Sequence, residues 1–164
     1  MSKIDWSKQH CGVHQAPLEK FLALMPDLRP ALESFPRNEN PHDFTWDVKV
    51  HMLMPRQYPC IPGWHVDNVP RQADGRQMFD KVRLDLPMYM WISGGPLTQF
   101  TTGYIQPEKW VRFTQADEHR GQQASEFTWR GFIRATHKDI MPPKKENWLR
   151  RHCQVYVDEV DYQW

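Results

Sequence analysis

The sequence predicts a mainly β protein, a two-sheet sandwich or jelly roll of short strands with a short N-terminal helical segment. Three observations carry this expectation. Fourteen prolines are scattered through 164 residues, and proline removes a backbone donor and breaks helix interiors, which argues against long helices. Residues 44–54 alternate, with Phe44, Trp46, Val48, Val50, Met52 and Met54 on one side, as a half-buried strand does. Further along, short runs rich in β-branched and aromatic residues recur between turn signals, the pattern of a sandwich or jelly roll.

The elements follow in order. Residues 1–15 are polar and mixed, and read as an irregular arm. Pro17 to Met25 reads as a short helix, because proline is tolerated in a first turn and Leu18, Phe21, Leu22 and Met25 form one apolar stripe. Leu28 to Phe35 reads as a second helical turn. Asn38-Glu39-Asn40-Pro41 is a turn, and the strand over 44–54 follows. Pro55 to Gly63 holds three prolines and a glycine, so the chain loops there. Asp74-Gly75 marks a turn in polar 68–80. Val82 to Ile92 is expected to be a strand, broken by Gly94-Gly95-Pro96. Thr98 to Ile105 and Trp110 to Phe113 read as further strands, and Asp117 to Ser125 as a polar loop. Phe127-Thr128-Trp129 and Phe132-Ile133-Arg134 read as two short strands around Gly131. A last strand is expected from Leu149 to Val157. The length suits one domain: an arm and helices over 1–43, a β core over 44–157 and a tail over 158–164.

Composition narrows the function classes. Lys plus Arg is 21 and Asp plus Glu is 20, so no global field draws the chain to nucleic acid or to a membrane surface. Lys144, Lys145 and Arg150 make a local basic cluster that could touch phosphate, but the net charge gives a nucleic-acid partner no support. Cys11, Cys60 and Cys153 show no CxxC spacing, which suggests neither a disulfide framework nor a zinc cluster and favours a reducing compartment. The N-terminus lacks the apolar run of a signal peptide. No stretch approaches the ~20 apolar residues of a membrane span. A soluble cytoplasmic protein is the expectation.

The chemistry-bearing stretch is Pro62-Gly63-Trp64-His65-Val66-Asp67-Asn68. On an extended chain His65 and Asp67 point the same way, which puts an imidazole beside a carboxylate. A third group would have to come from far along the chain, and His137 in Arg134-Ala135-Thr136-His137-Lys138-Asp139 is the candidate. Two imidazoles and one carboxylate with open positions make the facial triad of non-haem Fe(II) oxygenases. His119, in Asp117-Glu118-His119-Arg120, is the rival third ligand, and its polar loop context favours His137. In Arg150-Arg151-His152-Cys153-Gln154-Val155-Tyr156-Val157, Arg151 is in phase with the apolar positions. A core-facing arginine is costly unless it meets an anion, and a carboxylate suits its fork. Trp64, Tyr89, Trp91, Thr98 and Thr101 lie on segments able to line the same cavity.

With His65-x-Asp67, His137 and Arg151 in that order, the chain resembles the Fe(II)/2-oxoglutarate-dependent dioxygenases, whose fold is the double-stranded β-helix. The run from Phe127 through Gly131 and His137 to Arg151 is similar to that family's distal half, where a strand pair, the distal histidine and a cosubstrate arginine come in sequence. The likeness spans roughly residues 44–157, the scale of one compact domain. It implies His65, Asp67 and His137 as catalytic iron ligands. It implies Arg151, with Arg150 as the competing choice, as partner of the distal carboxylate of 2-oxoglutarate. Fe(II) is then the metal, 2-oxoglutarate and O2 the co-reactants, and the reaction hydroxylation of a substrate the sequence does not identify. A non-oxygenase metal-binding cupin-like protein and a non-catalytic jelly-roll interaction module are the alternatives.

Overall fold

The structure is a computed structural model and describes residues 4–145, 149 and 154–157. Among the described residues eight strands form two antiparallel sheets: β1 (Gly12–Ala16), β2 (Phe44–Leu53), β3 (Met88–Ile92), β4 (Thr98–Phe100), β5 (Gly103–Tyr104), β6 (Val111–Phe113), β7 (His119–Gly121) and β8 (Thr128–His137). The five-stranded sheet runs β1-β2-β8-β3-β6 and the three-stranded sheet β5-β4-β7. After β3 the chain crosses to the smaller sheet for β4 and β5. It returns for β6, crosses again for β7 and returns for β8. Two short helices lie between β1 and β2, α1 (Leu18–Leu24) and α2 (Arg29–Glu33).

Strand alternation gives the large sheet two unlike faces. On one face Phe44, Trp46, Val48 and Val50 of β2, Tyr89 and Trp91 of β3, and Ile133 and Ala135 of β8 meet Phe21, Met25, Leu28 and Phe35 from the helical segment. Phe21 stacks on Trp46 with centroids 5.4 Å apart. On the other face Met88, Met90 and Ile92 pack with Phe100, Ile105 and Phe113. That second layer lies on the face of β3 turned away from the helices, with Phe100 joining it from the smaller sheet.

Several elements differ from the sequence expectation, each for a physical reason. β1 lies in the expected irregular arm; it is an edge strand with a bulge between Val13 and Ala16, too short and polar to show periodicity. Residues 82–87 are not strand. The Arg83 guanidinium turns back onto Asp85, its Nε 2.9 Å from Oδ1, and Leu84 is exposed. Thr98 to Ile105 splits into β4 and β5 around a tight turn. The polar loop over 117–125 contains β7, which pairs with β4 from His119 opposite Phe100 to Gly121 opposite Thr98. Thr128 to His137 is one strand rather than two, for Gly131 does not interrupt it. A Cβ at Gly131 would collide with the Trp6 ring, so the glycine marks a close approach. The core-facing run of β2 ends before Met52 and Met54, which are exposed. The expected last strand falls mostly outside the described residues; Leu149 bridges to Val13 and Tyr156 to Tyr58. No helix among the described residues is long and apolar enough to cross a membrane.

Candidate metal centre

His65 and His119 lie directly opposite each other. The His65 N–H donates to the His119 carbonyl at 3.0 Å, and the His119 N–H to the His65 carbonyl at 2.9 Å. Residues that exchange both backbone bonds carry their side chains on the same side of the ladder, and the two imidazole centroids are 4.5 Å apart. Asp67 follows two residues after His65, at a bend just beyond the bridge. Its Oδ2 is 3.5 Å from His119 Nε2. One ligand atom from each of His65, Asp67 and His119 lies within 4.8 Å of the others.

Both rings are oriented by backbone carbonyls. His65 Nδ1 donates to the Gly63 carbonyl at 2.9 Å and His119 Nδ1 to that of Asp117 at 3.2 Å, the tautomer in which Nε2 keeps its lone pair. This is the usual support of a metal-binding histidine. His119 is 2 % exposed, enclosed by Phe100 and Phe113. Burial holds the His65 imidazole below its ordinary pKa, and His119 adds to this. At Asp67, burial raises the carboxyl, but the Arg134 guanidinium together with the His119 and His65 imidazoles more than offsets that and holds it well below the usual carboxylate range.

The structure brings His119, and not the expected His137, beside His65 and Asp67. His137 ends β8 opposite Phe44, with ring centroids 5.7 Å apart. Residues 130, 132 and 134 of β8 face the cavity described next, whereas 133 and 135 belong to the helix-side core. His137 has the parity of that second set and points away from His65 and Asp67. Arg150 and Arg151 lie outside the described residues.

A cavity of about 200 Å³ adjoins the three residues, lined also by Arg130, Thr98, Met90 and Phe132. Arg130 is 1 % exposed. Its Nη2 donates to Thr98 Oγ1 at 2.8 Å, its Nε has no partner, and no ion pair to a carboxylate forms among the described residues. Burial pulls its pKa down to about 10. A buried guanidinium facing a cavity without a counter-charge is expensive and marks a place for an anion. Sequence reasoning passed over Arg130, yet the signal used for Arg151 applies to it: in β8 it is in phase with Phe132. A larger cleft of about 600 Å³ opens on the other side of His65 and Asp67, walled by exposed Trp64 and Phe79 with Thr101 and Glu118. Of the residues expected to line the site, Thr98 faces the small cavity, Trp64 and Thr101 face the cleft, and Tyr89 and Trp91 lie in the opposite core.

No family model matches the chain, and no curated protein matches it. Among solved structures, protein NMB1881 from Neisseria meningitidis is similar at 15% identity and a TM-score of 0.30, over 60% of this chain and 78% of that one. A likeness of that strength carries no argument about fold or chemistry.

Proposed function

We propose that this chain is an Fe(II)- and 2-oxoglutarate-dependent dioxygenase of the double-stranded β-helix type, with His65, Asp67 and His119 as iron ligands. One observation carries the reading. Two carbonyl-oriented imidazoles and a carboxylate converge beside a small cavity whose far polar group is a buried arginine lacking an anion. The donor set fits the proposed ion: N, N and O donors without thiolate suit a 2-His-1-carboxylate ferrous site. The order His-x-Asp, distal histidine, arginine on the next strand is kept, with His119 and Arg130 in the places expected of His137 and Arg151. The alternation of β3 to β8 between the two sheets supports a β-helical winding.

When bound there, Fe(II) with 2-oxoglutarate supplies O2 activation coupled to oxidative decarboxylation of the cosubstrate to succinate and CO2. The chain supplies binding, orientation and dryness. His65, Asp67 and His119 would hold the ion. Arg130 pairs with the distal carboxylate of the cosubstrate, and the Thr98 hydroxyl holds the guanidinium in place. Met90 and Phe132 give the cavity apolar walls. Its volume of about 200 Å³ is below the ~300–1,000 Å³ of drug-sized sites and suits a small dicarboxylate. The larger cleft, which shares His65 and Asp67, is where the molecule to be hydroxylated would enter. A cytoplasmic location goes with this reading, because a reducing compartment keeps iron ferrous.

Thermal unfolding with Mn(II), with and without 2-oxoglutarate, tests the proposal. A ligand at a hundredfold excess over its Kd stabilises by about 2.7 kcal/mol. At roughly 2–4 °C per kcal/mol for a chain of this size, each addition should raise Tm by about 5–10 °C. The 2-oxoglutarate increment should require the metal. Stabilisation by Mn(II) with no response to 2-oxoglutarate would favour a cupin-like protein without oxygenase chemistry, and no response to either a non-catalytic module.

A further inference from the structure

We propose that Arg134, held by Asp47, is the positioning residue of the metal centre and fixes the orientation in which Asp67 meets the ion. The inference rests on the metal-centre reading above and extends it to residues that do not themselves ligate.

Arg134 spans two carboxylates. Its Nη1 donates to Asp67 Oδ2 at 2.6 Å and its Nη2 to Asp47 Oδ2 at 2.7 Å. Asp47 is gripped from its other side: its Oδ1 accepts from the Gln15 N–H at 2.8 Å and pairs with His14 Nδ1 at 3.0 Å. Gln15 has φ 51°, left-handed backbone that a residue with a Cβ adopts reluctantly. It sits in the bulge of β1, where that turn of the chain directs its N–H at Asp47. A continuous series of hydrogen bonds thus runs from edge strand β1 through Asp47 and Arg134 to Asp67.

Asp67 needs such a support because it is not on a regular strand. It sits in a loop, followed by Asn68 with φ 58°. A loop carboxylate is free to turn about two side-chain bonds, and a ligand must be held close to its productive geometry. Arg134 lies on β8, the central strand between β2 and β3, and is the rigid anchor available. Charge is arranged consistently. Two carboxylates share one guanidinium, so the trio keeps a single negative charge for a divalent ion.

Removing Arg134 has two opposed effects. It frees Asp67 from a competing cation, which favours the ion, and it frees Asp67 to rotate, which disfavours it. The proposal is that orientation dominates. Loss of such supporting partners typically costs about 10–100-fold in metal affinity.

The test is Mn(II) affinity by electron paramagnetic resonance on wild type, Arg134→Met, Arg134→Lys and Asp47→Asn, with circular dichroism to establish folding. Arg134→Met should bind Mn(II) about 10–100-fold more weakly than wild type, with a broadened bound-ion spectrum. Arg134→Lys keeps the charge but loses the fork, so it should fail to rescue affinity. Unchanged or tighter binding in folded Arg134→Met, or full rescue by lysine, would overturn the proposal. If Arg134→Met does not fold, Arg134→Lys and Asp47→Asn decide: weakening of both supports the role, and wild-type affinity in both refutes it. A wild-type protein that binds no Mn(II) would remove the metal-centre reading itself, whereas binding that is indifferent to these changes would remove only the role of Arg134.

Discussion

Replacing Arg130 by methionine separates two consequences of opposite sign. Arg130 is buried at 1 % exposure, bonded to Thr98 Oγ1 and paired with no carboxylate among the described residues. In the cosubstrate-free protein it is an uncompensated buried charge, so an apolar side chain of similar length should not lower stability. Metal-loaded Arg130→Met should therefore melt no lower than metal-loaded wild type. Binding of 2-oxoglutarate should behave otherwise. Truncating one partner of a buried charge pair costs about 2–5 kcal/mol, which is roughly a 30- to 4,000-fold rise in Kd. The assay is a thermal-shift titration of Mn(II)-loaded protein with 2-oxoglutarate, backed by succinate formation with Fe(II). A variant that keeps the wild-type concentration dependence would refute the assignment of Arg130. A variant that loses stability before any cosubstrate is added would show that the guanidinium is already compensated.

Other predictions concern the ligand set and the scaffold. His119→Ala should abolish Mn(II) binding while His137→Ala leaves it unchanged, read by equilibrium dialysis; the reverse pattern would restore the sequence expectation. Burial, with Arg130 and Lys49 nearby, holds the His51 pKa down to about 2 from 6.5, and neither ring nitrogen has a hydrogen-bond partner. Below pH 6.5 the unfolded chain takes up a proton there and the folded one does not, so this contribution is complete above 6.5 and lost progressively as pH falls toward 2. Urea unfolding of wild type should thus lose up to about 1.4 kcal/mol per pH unit relative to His51→Phe between pH 6 and 4, and equal slopes would contradict it. Gly131→Ala drives a methyl into the Trp6 ring. It should cost about 1–3 kcal/mol of stability by overpacking, relieved in the Trp6→Leu background.

How much the sequence discloses depends on how many residues share a signal. β2 has four consecutive core positions, Phe44 to Val50, and reads clearly. His65 and Asp67 need only extended backbone between them to end up side by side. The polar neighbours of His119 suggest an exposed loop, yet the structure buries it more deeply than either partner. β7 is only three residues long, and of it His119 alone lines the cavity. No periodicity survives over that length. His137 looked suitable by its distance along the chain, but strand parity sends it to the opposite face. Gly131 sits inside β8 because Trp6 packs against it, more than a hundred residues away in sequence, and no local pattern carries that contact.

Calorimetric titration of metal-free protein, first with Mn(II) and then with 2-oxoglutarate, tests the central claim most directly. One Mn(II) per chain, with 2-oxoglutarate binding only after the metal and neither step surviving in His119→Ala, is the expected result. Absence of Mn(II) binding in the wild type, or 2-oxoglutarate binding that is indifferent to the metal, would contradict it.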